Sequence, residues 1–288
     1  MSATAVPRIT VVVAAYQAQA TLGECLESLV RLDYPRDRLE IICVDNASTD
    51  DTPAVAHAFE PRVRVLRAER RGAAAARNVG IRAASGDVVA FTDADCTVDP
   101  AWVRELVRPL ARREVGVAGG RILARRPCNA IERFGERLHD HETAITRCEP
   151  PYAITMNWAS PRSVLNDVDG FDERLLRCQD VDLAYRMMKR GLRLAYVDEA
   201  VIHHRNERTL AGLVREGYVH GYNSRIVKKL HRNYLQAYPP DWTPRQRLAA
   251  DLRELVRAPS HAASFLHLMF DTGKIFGEIH ARVRNEEA

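Results

Sequence analysis

Apolar and polar positions in the first part of the chain alternate between two periods. Ile9–Ala15 is an apolar run rich in β-branched residues, the pattern of a strand buried on both faces. Thr21-Leu-Gly-Glu24 reads as a capping box: Thr21 accepts from the third helical amide, Glu24 reaches back, and the helix runs to about Leu32. Leu39–Val44 predicts a second buried strand, ending in Asp45. Thr52-Pro53 opens the next helix, because proline tolerates the first helical position. Val63–Leu66 predicts a third strand, Gly72–Ala84 an alanine-rich helix, and Val88–Thr92 a fourth strand running into Asp93-Ala-Asp95. Asp99-Pro100 is a cap and proline that begin a helix to about Arg112. Strand and helix repeated in this order predict parallel strands joined by right-handed crossovers, an α/β Rossmann-like sheet.

The second half is mixed. Val115–Leu123 and Ala153–Trp158 predict strands, separated by a polar helical stretch around Ala130–Thr146. Gln179–Arg190 predicts a short helix ending at Gly191, and Arg193–Val197 and Ala200–His203 two more strands. From about Thr209 the pattern is helical to the end, with breaks at Pro239-Pro240 and Pro259. No repeat or low-complexity linker interrupts the 288 residues. The expected division is a catalytic domain over 1–206, with halves at about 1–98 and 99–206, and a helical extension over 207–288.

Composition narrows the class. Six scattered cysteines without a Cys-x-x-Cys pair argue against a zinc site and a disulfide framework. The chain shows no secretory signal, and no stretch reaches the roughly 20 apolar residues of a membrane span. A cytoplasmic location is expected. The net charge of +4 is unevenly spread. Residues 1–204 are nearly neutral, whereas 205–257 carry 11 Lys/Arg against 5 Asp/Glu. That basic stretch either is a solvated helix face or meets phosphate or an anionic surface.

The chemistry concentrates at strand ends. In open α/β sheets ligands lie beyond the carboxyl ends of the parallel strands, where this sequence places Asp45, Asp93 and Asp95. Positions i and i+2 of extended chain share a side, so Asp93 and Asp95 are expected to project together. Two carboxylates there suit Mg²⁺ or Mn²⁺ held with a substrate diphosphate, although Asp-x-Asp alone is common in exposed turns.

Five segments go further. VVVAAYQAQATLGECLESL, CVDNASTDDT, RRGAAAARNVGIRAASGDVVAFTDADC, NWASPRSVLNDVDGFDE and CQDVDLAYRMMKRG follow one another over roughly residues 8–205. Together they resemble the family 2 glycosyltransferases of the GT-A fold. The resemblance implies an inverting transfer of a sugar from a nucleotide diphosphate, a UDP-sugar foremost, to an acceptor hydroxyl with Mn²⁺ or Mg²⁺. It implies that Ala15, Tyr16 and Asp45 line the nucleobase and that Arg77 contacts base or phosphate. Asp93 matches the aspartate that touches ribose and flanks the metal, and Asp95, of the DxD motif, the metal ligand. Asn157, Trp158 and Arg162 fall in the segment facing donor sugar and acceptor. Asp180 matches the catalytic base. His203 and His204 fall where the family places a metal-reaching histidine; strand alternation lets only one reach, and spacing favours His204.

Departures from the family pattern are Ala14 and Gln17 in the first loop, and Gln179 in place of the acid before the base. The QxxRW pattern of processive synthases is missing after Asp180, which points to single addition. A sugar-phosphate nucleotidyltransferase or a dinucleotide-dependent oxidoreductase would need a glycine-rich loop where the chain has AAYQAQA. A non-catalytic nucleotide-sugar-binding protein is the rival from another class, Gln179 marking decay. Apolar residues Phe265, Leu266, Leu268, Met269, Ile275, Phe276 and Ile279 follow the basic stretch at largely helical spacing. That helix is expected to pack on the catalytic domain, pair with a second copy, or lie peripherally on the inner membrane face. The expected partners are donor and hydroxyl acceptor, a glycan or lipid-linked glycan, and no nucleic acid.

Overall fold

A computed structural model describes residues 6–239, 244–257 and 262–286. Packing divides them into two compact units. The first comprises the described residues up to Arg125 together with Asp140–His204, and the second Arg126–His139 with the described residues from Arg205 onward.

The first unit is built on an eight-stranded sheet. In chain order its elements are β1 (Ile9–Ala15), α1 (Leu22–Val30), β2 (Leu39–Asp45), α2 (Thr52–His57), β3 (Arg64–Arg67), α3 (Ala73–Ala83), β4 (Val88–Asp93), β5 (Cys96–Val98), α4 (Trp102–Leu106) and β6 (Val115–Ala124). The second unit contributes α5 (Ala130–Leu138), after which the first resumes with α6 (His141–Thr146), β7 (Trp158–Pro161), α7 (Arg162–Asp167), α8 (Gln179–Met188) and β8 (Arg193–His204). The strand order is β3-β2-β1-β4-β7-β6-β8-β5. The first four strands are parallel; β7 then runs antiparallel to β4 and β6, β6 and β8 are parallel, and β5 closes antiparallel to β8. Val11, Val12 and Val13 of β1 are fully buried, as a central strand covered on both faces requires. One apolar cluster lies around Leu22, Leu26 and Trp102, and another around Phe91, Trp158 and Leu183.

Several local expectations are corrected. Thr21 makes no cap hydrogen bond; its hydroxyl meets the Ala18 carbonyl, and Glu24 pairs with Arg125 instead. Asp99 is not a helix cap, since α4 starts later and the Asp99 carboxylate bonds His203. Ala153–Trp158 is mostly not strand, because Thr155–Asn157 winds into a 3-10 turn and β7 begins at Trp158. The stretch Ala130–Thr146 breaks into two helices, α6 being capped by Asp140, which accepts from the Thr143 amide. The two strands expected after Gly191 form one, β8. Its polar Asp198-Glu199 is absorbed where the register shifts between Gly120 and Arg121, an irregularity that looks like a turn in sequence. Gly120 is needed there, because a Cβ would lie 2.1 Å from the Ala200 carbonyl oxygen.

The second unit continues with α9 (Leu210–Leu230), α10 (Arg232–Leu235), α11 (Pro244–Arg257) and α12 (Ala262–Glu286). Helices α9 and α12 run parallel and touch through glycines: Gly217 and Gly221 face the backbone of Phe270 and Lys274, while Gly273 and Gly277 face Val214 and Tyr218. Phe134, Leu213, Leu266 and Phe270 form the apolar centre of this unit. The expected breaks at Pro240 and Pro259 lie outside the described residues. Among the described residues no helix is long and apolar enough to cross a membrane.

Candidate active site

Parallel register sets the first wall. Ala15 ends β1 opposite Asp45, which ends β2, and Ala14 lies opposite Asp93, the last residue of β4. Asp45 is buried and one of its oxygens accepts from the Ser48 amide at 3.1 Å. Ala15 is fully buried and its carbonyl accepts the Asn46 amide at 2.8 Å. Tyr16 is 45% exposed; the Arg71 guanidinium lies 4.7 Å from its ring centroid and donates to its hydroxyl. Gln17 adopts a left-handed conformation and its side-chain oxygen accepts from the Thr49 amide at 2.7 Å. This departure from the family pattern ties the loops after β1 and β2 together.

An arginine occupies the next position inward. The alanines of α3 let the helix pack closely on the sheet and bury Arg77 to 7% exposure. Its Nη2 donates to Asp93 Oδ1 at 2.7 Å, its guanidinium lies 5.7 Å from the Phe171 ring centroid, and its buried Nε has no protein partner. Asn78, one residue on, holds the Phe171 loop by donating to the Phe171 carbonyl and accepting from its amide. Asp180 lies in the first turn of α8 and accepts from the Val181 amide at 2.9 Å and the Thr155 amide at 3.3 Å. Burial pushes the Asp180 carboxyl above its ordinary range, outweighing the opposing Arg77 charge and the amide hydrogen bonds. Burial therefore outweighs the helix terminus in setting this carboxyl. Asp182 is turned away, buried and bonded to Arg186.

Asp95 lies in a two-residue turn between β4 and β5, so extended-chain alternation does not explain its direction. Instead the turn brings it to the end of β8, where His204 Nε2 is 3.6 Å from Asp95 Oδ2. Asp95, His204 and Cys96 offer donor atoms within 4.8 Å of one another. Burial raises the Asp95 carboxyl, but the His204 imidazole and hydrogen bonds outweigh it and hold it below the ordinary range. Burial and the charges of Asp95 and Asp93 push the Cys96 thiol well up, so it stays protonated beside Asp95 Oδ1 at 3.8 Å. The oxygen and nitrogen donors of Asp95 and His204 fit Mn²⁺ or Mg²⁺ better than the thiol would. Asp93 is paired with Arg77 outside this cluster, and His203 bonds Asp99 at 3.0 Å.

Three expected sugar-facing residues are not brought to these groups. Asn157 is fully buried, and both ends of its amide are engaged: Oδ1 by the Trp102 indole, Nδ2 by the carbonyls of Arg121 and Ala200. Trp158 is fully buried in the core beside Phe171. Arg162 binds the Gly86 carbonyl, and its neighbour Pro161 is registered with Val88 at the opposite end of β4 from Asp93. Sequence reasoning passed over Thr155, whose amide reaches Asp180 and whose buried hydroxyl has no partner. No local pattern marks it, since the 3-10 turn that aims it forms only against the sheet.

The comparisons agree with this architecture. Among solved structures, the mannosyltransferase PcManGT of Pyrobaculum calidifontis, in complex with GDP-Man and Mn²⁺, superposes with a TM-score of 0.69 at 20% identity, over 97% of this chain and 88% of that one. TarS 1-349 of S. aureus in complex with UDP-GlcNAc matches with a TM-score of 0.56 at 14% identity, over 96% and 91%. These likenesses identify the fold as GT-A. Glycosyltransferase AglE of Haloferax volcanii is 26% identical over 68% of this chain and 66% of its own length. A β-monoglucosyldiacylglycerol synthase of Synechocystis is 36% identical over 63% and 40%. The chain thus spans less than two thirds of these curated relatives. Residues 10–169 match Glycosyl transferase family 2, more than half of the chain. With the strand-end acids, the sheet order and this match in agreement, the chain belongs to glycosyl transferase family 2.

Proposed function

We propose that the protein transfers one sugar from a nucleotide diphosphate to an acceptor hydroxyl, with inversion at the anomeric carbon. The observation that carries this reading is the arrangement of Asp93, Arg77 and Asp180, with Asp95 and His204 at the neighbouring strand end. Tyr16 and Asp45 receive the base, Asp45 through its second carboxylate oxygen. Arg77 holds Asp93 toward the ribose. Asp95 and His204 would hold Mn²⁺ or Mg²⁺, which neutralises charge on the departing diphosphate when bound.

Asp180 accepts the acceptor hydroxyl proton as that oxygen forms its bond to the anomeric carbon and the carbon–diphosphate bond breaks. The nucleotide diphosphate leaves with the bonding pair. A base works best when its carboxyl titrates near the working pH, and the raised Asp180 meets that requirement better than an exposed aspartate. Gln179 is buried beside it; an acid there would add a second carboxylate to be desolvated.

Structural neighbours bind GDP-Man and UDP-GlcNAc, so both nucleotides belong in the test, with UDP-sugars first. The experiment is a panel of UDP- and GDP-sugars with Mn²⁺ and with EDTA, followed by NMR of the product. Metal-dependent donor binding and a β-linked product from an α-linked donor are expected. Equal donor affinity in EDTA, or a retained configuration, would overturn the reading. A protein that binds donors but transfers none would be the non-catalytic alternative.

A further inference from the structure

The second unit carries a surface that donor chemistry does not explain. Helices α9 and α12 end side by side: Lys228 bonds Glu278 at 2.9 Å, and the Tyr222 and His280 rings lie 5.5 Å apart. At this end Phe276, Ile279 and Val283 of α12 are 62%, 53% and 51% exposed. Their spacing of three and four residues makes one stripe, separate from the glycine face that meets α9. Leu230, at the end of α9, is 49% exposed.

The described charges at this end of the two helices are mostly basic. Arg225, Lys228, Lys229 and Arg232 come from α9 and α10, and Arg282 and Arg284 from α12. Among the described side chains of 225–239 and 275–284 the one acid is Glu278, which Lys228 engages. An exposed apolar stripe within a basic rim is the composition of an interfacial helix. A second copy laid face to face would set the same basic rim against itself within a Debye length, whereas anionic headgroups complement it.

We propose that this end of the α9–α12 pair docks on a membrane surface bearing anionic lipid headgroups. The apolar stripe enters the boundary of the acyl region while the basic residues meet the headgroup charge. This inference is independent of the donor and of the catalytic assignments.

Co-sedimentation of the full chain tests it, with vesicles of phosphatidylcholine alone and with about a third phosphatidylglycerol. Two surface variants, K229E/R232E and F276S/I279S, are compared after circular dichroism shows the parent's helix content. Binding to anionic vesicles is expected at low salt, weakening as salt rises. Each basic residue near such a surface strengthens partition roughly five-fold, so the charge reversal should lower it at least about 25-fold. The serine variant should lose partition at every salt concentration. Absence of binding to anionic vesicles at low salt, or equal binding by parent and both variants, overturns the proposal. So does a dimer abolished by F276S/I279S in a protein that ignores vesicles, because a second copy then covers the stripe.

Discussion

Asp180 sits where helix amides favour a carboxylate, yet the protein packed around it raises its carboxyl. A group that titrates higher when folded binds its proton more readily in the native state. Its contribution to stability is full below the ordinary carboxylate value and is lost as pH rises through the raised one. Asp180→Asn removes that loss. The variant is therefore expected to be at least as stable as the parent at neutral pH, with the difference vanishing in acid, as urea unfolding at the two pH values would read. Transfer should fall by about 10²–10⁴-fold with donor binding retained. A second residue-scale contrast separates the two histidines, because His204 faces Asp95 while His203 bonds Asp99. His204→Ala should weaken Mn²⁺ binding by roughly ten-fold or more in calorimetry, and His203→Ala should leave it nearly unchanged.

At the scale of elements, His141 shows how a helix is fastened to the sheet. The neutral ring is held at both nitrogens: Nδ1 donates to the Gly120 carbonyl and Nε2 accepts from the Ile154 amide, each at 2.8 Å. Burial lowers its pKa from 6.5 to about 4. The unfolded chain therefore takes up a proton before the folded one does. Stability conferred here is present above pH 6.5 and is lost progressively as pH falls toward about 4, amounting to about 3 kcal/mol in all. His141→Gln keeps a donor and an acceptor without titrating. Its unfolding free energy should depend less steeply on pH across that window. A parallel pH dependence in variant and parent would refute the assignment.

For the whole molecule, the reading of the site predicts linkage between donor, metal and stability. A nucleotide diphosphate at about a hundred times its dissociation constant should stabilise the protein by about 2.7 kcal/mol with Mn²⁺ present. A thermal-shift measurement should show that gain disappear with EDTA and in Asp95→Ala. An equal shift in EDTA would mean that the nucleotide is held without the ion.

The parallel core and the acids at its edge are legible along the chain. Ile9–Ala15 and Leu39–Asp45 are strands because a short apolar, β-branched run is stable only between layers, and that pattern is local. Asp45 and Asp93 fall at strand ends for the same reason, since polar residues close such runs. Which side chains meet depends on how the elements pack in three dimensions. Arg77 bonds Asp93 across sixteen positions and its charge acts on Asp180 across far more, and nothing in the α3 sequence names either partner. Asn157, Trp158 and Arg162 keep their motif yet turn inward or to the far end of β4, because the antiparallel pairing of β7 sets their direction. Arg126–His139 joins the C-terminal helices although it lies between strands of the sheet. Hydrophobic period is a property of neighbours in the chain, so it can be read along it. Burial, ion pairing and the pKa shifts that follow depend on groups brought together from distant positions, and those are fixed only when the sheet closes.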